Sequence, residues 1–261
     1  MEDPHFAAAG LAVAPRASTG QTTSERFGRR PHGALPQARR YEIVGHTSSG
    51  TIQKLSISAP ASPFISDAFE GFARGSLIAT PDGPVAIEDL APGMLIETAD
   101  NGPQPLRWIG STIISSERFD ETRPLIRFAS DSLGMARPSP DLILGPRARI
   151  MFQHAGCRQL FDRPSALAPA RAMIDGDSIF AMRSVAPVKV YHLVLDGQQI
   201  ILANGVETES FHPGPHGQAL MDNDELELFL SLFPHIKSIE DFGPAPYPRL
   251  TAFELNTLQA G

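Results

Sequence analysis

Between about residue 69 and residue 211 the chain alternates short apolar segments with turn residues, a pattern that predicts many short strands. The candidate strands are Leu77–Thr80, Val85–Ile87, Met94–Thr98, Pro105–Ile109, Leu125–Phe128, Ile150–Phe152, Ile179–Met182, Val188–Leu195, Gln199–Leu202 and Val206–Thr208. Between them, Asp100-Asn-Gly102, Asp175-Gly-Asp177, Asp196-Gly197 and Asn204-Gly205 supply residues that tolerate positive φ in tight turns. Short strands at this spacing predict an all-β barrel or sandwich. Upstream, Tyr41–Val44 and Thr51–Ser58 show partial period-2 alternation around a His46–Gly50 turn, predicting two more strands. The texture changes after Pro213. Asp222 offers an N-cap, and Leu226, Phe229, Leu230 and Phe233 follow at helical spacing, which predicts one amphipathic helix ended by Pro234 and docked on the β domain.

Residues 1 to about 40, rich in Ala, Gly, Ser, Thr, Pro and Arg without a sustained period, read as a flexible leader. The expected organisation is therefore a leader over 1–40, a short strand-containing segment over 41–68, a β domain over 69–212, and a helix with its tail over 213–261. The tail from Tyr247 to Leu255 is too short to fold alone and is expected to pack back on the domain.

Apolar residues make up 42% and charged residues 20% of the 261, enough to bury a core and inconsistent with wholesale disorder. The net charge of -7, with lysines only at 54, 189 and 237, argues against a nucleic-acid surface, which needs clustered positive charge. The single Cys157 excludes an internal disulfide framework and a cysteine-based zinc ribbon. No apolar run approaches the roughly 20 residues of a membrane-spanning helix. The acidic start, Met1-Glu-Asp, is unlike a secretory signal, so the expected location is cytoplasmic, or exported without a recognisable signal peptide.

The most informative stretch is Gly71-Phe-Ala-Arg-Gly-Ser-Leu-Ile-Ala-Thr-Pro-Asp-Gly83, followed by Val85-Ala-Ile-Glu-Asp-Leu-Ala-Pro-Gly93. Together with Gln104-Pro-Leu-Arg-Trp-Ile-Gly110, Pro140-Asp-Leu-Ile-Leu-Gly-Pro-Arg-Ala-Arg-Ile150, Val190-Tyr-His-Leu-Val-Leu-Asp196 and Ile200-Ile-Leu-Ala-Asn-Gly205, it resembles bacterial Hint (hedgehog/intein) domains over roughly 69–213. The resemblance implies a pseudo-twofold β fold of many short strands. It also implies a self-cleaving site, in which a Cys or Ser attacks the peptide bond before it. A histidine then protonates the departing amide nitrogen, and oriented donors stabilise the oxyanion.

The family's site positions map here to Gly71, Ala148, His192 and Asp196. Gly71 stands at the nucleophile and Ala148 at the histidine of the Asp-Leu-x-Val-Ser-Pro-x-His-Arg block, while a further histidine position falls near Gln198. No His-Asn pair of the kind that closes an intein occurs. Ser76 lies five residues beyond Gly71, too far along a strand to replace it. His192 and Asp196 match the closing block, but a histidine without its nucleophile is expected to be a strand histidine bonded to backbone. No catalytic residue is therefore expected.

Other constellations carry less. His154-Ala-Gly-Cys157 and His212-Pro-Gly-Pro-His216 have ligand-like spacing without the further ligands a zinc site needs. Arg147 and Arg149 read as a solvated strand face. No nucleophile elbow, phosphate loop or dinucleotide fingerprint occurs, so neither cofactor nor metal is expected. Three readings stay open: a degenerate, non-cleaving module that binds a peptide or protein partner, a self-cleaving protein with a rearranged site, and a β-sandwich hydrolase or carbohydrate-binding module.

Overall fold

The computed structural model describes residues 38–115, 123–214 and 217–260. The expected leader lies outside the described residues, apart from Ala38–Arg40, which open the first strand. Sixteen strands lie among the described residues: β1 Ala38–His46, β2 Ile52–Pro60, β3 Phe72–Ala73, β4 Leu77–Ile78, β5 Val85–Ala86, β6 Leu95–Ile96, β7 Gln104–Pro105, β8 Trp108–Ile114, β9 Leu125–Phe128, β10 Leu142–Leu144, β11 Arg149–Gln153, β12 Ser165–Pro169, β13 Ile179–Met182, β14 Val188–Val194, β15 Ile200–Ala203 and β16 Val206–Glu209. The helices are α1 Pro63–Asp67, α2 Ala155–Phe161, α3 Asn223–Ser231 and α4 Ala252–Ala260.

The architecture is all-β. An eight-stranded sheet runs in the order β13-β9-β10-β3-β14-β8-β1-β2, a six-stranded sheet in the order β12-β11-β16-β15-β4-β5, and β6 pairs with β7. Local turn chemistry sets the registers. Asn204 (φ 49°) and Gly205 (φ 81°) form the two-residue turn between β15 and β16, with the positive φ values that match the strand twist. The Asn204 side chain accepts from Leu77 N–H at 2.7 Å and donates to Pro140 O at 3.0 Å, tying β4 to the loop before β10.

β14 is buried on both faces. Tyr191, Leu193 and Leu195 enter one core with Phe72, Phe128, Leu144, Ile150 and Ile201. Val194 enters a second core, where Tyr41, Ile43, Ile65, Phe69, Trp108 and Phe211 meet Phe229, Leu232 and Phe233 from α3 and its C-terminal turn. A third, smaller cluster joins Cys157 of α2, Ala166 and Ala168 of β12, and Leu250 and Leu255 of the tail.

β14 is flanked by β3 and β8, while the Leu77–Ile78 strand pairs with β15 and β5. Two differences from the sequence reading bear on the site. The expected strand Pro105–Ile109 divides, because the chain leaves β7, the partner of β6, at Pro105 and joins the eight-stranded sheet at Trp108. The hairpin β1–β2 is part of that same sheet, with β1 paired along Tyr41–Gly45 to β8.

Candidate functional site

The strand register places the family positions. Tyr191 pairs with Phe72 and Val190 with Ala73, so His192 stands opposite Gly71 on the next step of the antiparallel ladder. On the other side His192 faces Gly110. Side chains directly opposite in such a ladder share a face and stand close. Gly71 leaves that space empty, and the imidazole leans into it: a Cβ built on Gly71 would lie 2.8 Å from His192 Cγ and Cδ2.

His192 is a core residue. It is 5% exposed and is flanked edge-on by Phe72 and Phe211, each with its ring centre 5.5 Å away. Burial, reinforced by the nearby Arg249 charge, holds its pKa down to about 3. The ring is therefore neutral near pH 7. Its Nδ1 accepts from Leu193 N–H at 3.1 Å, which assigns the proton to Nε2.

The Glu70–Gly71 peptide bond, where the resemblance puts the family's cut, is held at both of its polar atoms, one by the turn before β11 and one by β14. The Glu70 carbonyl accepts from Arg147 N–H at 3.1 Å, and Gly71 N–H donates to Tyr191 O at 3.1 Å. Gly145, at the serine position of the family block, permits this approach. A Cβ there would lie 2.2 Å from Glu70 O. The Glu70 side chain, 1% exposed, is held by Arg39 at 2.6 Å and by Arg123 at 2.5 Å. Ala148 is buried in the first core, and Ser76 Oγ donates to Ala73 O.

Beside His192 lies a small charged cleft lined by Asp67, Arg147, Arg149, Glu209, His212 and Arg249. Arg147 Nε approaches Asp67 Oδ1 to 2.9 Å without hydrogen-bond alignment. Glu209, buried between Arg249 at 2.7 Å and Arg149 at 3.6 Å, also accepts from the Gln198 side chain. His212 has both ring nitrogens engaged, with Gly214 N–H at 2.9 Å and Gly243 O at 3.1 Å, and burial lowers its pKa. The open volume is about 20 Å³, on the order of what one water needs. The arrangement sets three guanidiniums against two carboxylates and offers no attacking atom beside Gly71.

The structure thus brings Gly71 and His192 into contact and sets the Arg147 amide on the Glu70 carbonyl. Asp196 does not line the cleft. It is 57% exposed and paired with Arg107 at 2.6 Å. Arg147 and Arg149 differ from the expected solvated face: both point into the cleft, because Asp67 and Glu209 lie across from them. His154 caps α2 through Nδ1, accepting from Gly156 N–H, and Cys157 is buried with its thiol pKa raised by desolvation. His216 lies outside the described residues. Sequence reasoning missed Glu209 and Arg249. In β16, Val206–Glu209, period 2 sets Glu207 and Glu209 on one face away from Val206 and Thr208, so no local signal marks Glu209 as buried.

Among the described residues no helix is long and apolar enough to cross a membrane. The family model of the Hint domain matches residues 70–215, more than half of the chain, and the chain belongs to that family. No curated protein matches it.

Proposed function

We propose that this Hint domain protein does not cut itself and that its β domain serves as a binding module for a peptide or protein partner. The observation that carries this reading is the His192 ring, which occupies the space beside residue 71 where an attacking side chain would stand. A nucleophile at that position is the first requirement of the family's reaction, and Gly71 provides none.

Two further observations support it. Ala148 gives the departing amide no proton donor, and the core-packed His192 is neutral, with no imidazolium proton to give. The residues before Gly71 are also part of the fold: Ile65, Ala68 and Phe69 are buried in the second core and β1 lies inside the eight-stranded sheet. Cleavage would leave that segment bound, so it would release little. The Arg147 amide on the Glu70 carbonyl has the placement of an oxyanion donor and serves here as a turn-to-backbone hydrogen bond.

The test is the intact mass of the purified chain, before and after incubation with a thiol or hydroxylamine. The expected outcome is the full 28.1 kDa in every sample. A fragment beginning at Gly71 would overturn the reading.

A further inference from the structure

Past the family-matched residues, the segment Pro244–Leu250 lies along the outer edge of β12 and sends one side chain into the charged cleft. β12 ends the six-stranded sheet, so its outward amide groups are a template for another strand. The tail takes that template at one residue: Leu167 N–H donates to Pro248 O and Leu250 N–H to Leu167 O, both at 2.8 Å, in a parallel bridge between Leu167 and Arg249. Gln198 holds the backbone from the other side. Its N–H donates to Pro244 O at 3.0 Å and its side-chain oxygen accepts from Tyr247 N–H at 2.8 Å.

Two side chains are recognised separately. Arg249 donates to Glu209 through Nε at 2.9 Å and Nη2 at 2.7 Å, and Nη2 also reaches His212 O at 2.6 Å. Leu250 is buried with Cys157, Ala166, Ala168 and Leu255. Backbone pairing for affinity, with separate pockets for adjacent side chains, is how an added strand is bound. Pro244, Pro246 and Pro248 carry no N–H, which keeps the ladder short and the segment extended. The hold is therefore concentrated in a few contacts, while Phe253 just beyond is 79% exposed.

We propose that the β12 edge, the Glu209 carboxylate and the Leu250 pocket form a peptide-binding groove, with Pro244–Leu250 as its resident ligand in cis. An extended partner segment that presents Pro-Arg-Leu displaces it. This rests on the reading of the domain as a binding module and gives that module a ligand chemistry: a short proline-broken strand, a guanidinium, then a branched apolar side chain. Gln198 acts here as a backbone reader.

The experiment uses the full chain in two forms, unchanged and Arg249→Ala with Leu250→Ala, and a fluorescent peptide copying residues 243–256. Anisotropy should show the double variant binding the peptide at least ten-fold more tightly than the unchanged chain, whose own tail competes. A peptide carrying Ala in place of its arginine should bind at least ten-fold more weakly. Hydrogen exchange on the unchanged chain supplies a second readout. The Leu167 and Leu250 amides should exchange at least ten-fold faster than those of β8 and β14, reporting local release of the tail. A folded double variant that ignores the peptide overturns the proposal. So does a tail whose amides exchange no faster than the central strands, and that result decides the matter if the variant does not fold. Intact mass bears only on self-cleavage, so loss of peptide binding at full mass sinks the groove and leaves the non-cutting reading standing.

Discussion

A methyl group added at Gly71 has no room of its own, because the nearest ring atoms of His192 lie 2.8 Å from where it would sit. The ring cannot swing away cheaply, being packed between Phe72 and Phe211. Gly71→Ala should therefore destabilise by about 1–3 kcal/mol, the usual cost of overpacking. Combined with His192→Ala, the two changes should couple, since the second removes the ring that the added methyl meets. Urea midpoints of the two single variants and the double variant measure this, and strict additivity would show that the contact is not there. The same ring predicts a pH dependence. Unfolded, a histidine takes a proton below about pH 6.5, whereas native His192 resists until about pH 3. The unfolded state thus binds more protons within that window, and stability falls as pH drops through it, with the full contribution present above pH 6.5. His235, whose pKa burial lowers to about 4, acts in the same direction, so the comparison must be made by variant. His192→Gln should flatten the loss by up to about 1.4 kcal/mol per pH unit. Parallel profiles for variant and parent would show a normally titrating ring. Position in the motif is enough to map the attacking and proton-donating positions onto Gly71 and Ala148 as the resemblance implies them. That His192 fills the gap depends on which strand pairs with β14, and no local pattern carries that.

Among elements, α3 is the one whose face the sequence placed most nearly. The expected stripe of Leu226, Phe229, Leu230 and Phe233 is buried at Phe229 and Phe233, but Leu226 and Leu230 are only half-buried and Leu232 takes part instead. The reason is that the helix ends at Ser231, and the turn that follows rotates Leu232 and Phe233 together under Trp108, whose indole N–H donates to Leu232 O at 2.8 Å. Phe229 touches Phe233, Phe242 and Phe211, with ring centres 5.1, 6.0 and 6.2 Å away. Phe229→Ala should cost about 3–5 kcal/mol and Leu226→Ala under about 1 kcal/mol. Equal urea midpoints for the two variants would place the wrong face inward. Strands with four or more mostly apolar residues bounded by turn residues, such as β9, β13 and β14, were legible from pattern alone. β3, with two residues, and β10, with three, carry no period to read. β12, Ser165-Ala-Leu-Ala-Pro169, lacks the branched residues that mark a strand and is held in place by its partner β11 and by the tail.

At the scale of the whole molecule, the decisive feature is that the chain before Gly71 is woven into the chain after it. β1 lies between β2 and β8, and Tyr41 and Ile43 share a core with Phe69, Trp108, Phe211 and α3. The sequence read 41–68 as a separate short segment because its pairing partner, β8, lies on the far side of the family's opening motif. A segment built to be shed would be expected to leave the remaining core intact when weakened. One that is part of the core should bring the core down with it. Trp108, the single tryptophan, reports on this from β8. Ile43, 1% exposed on β1, is the residue to change. Ile43→Ala should cost about 2–5 kcal/mol and shift the urea transitions of tryptophan fluorescence and far-UV circular dichroism by the same amount, as one cooperative unit requires. If the tryptophan transition stays in place while the dichroism loses an early phase, β1 unfolds on its own. The upstream segment would then be detachable, and the case for a non-cutting module would lose its structural half.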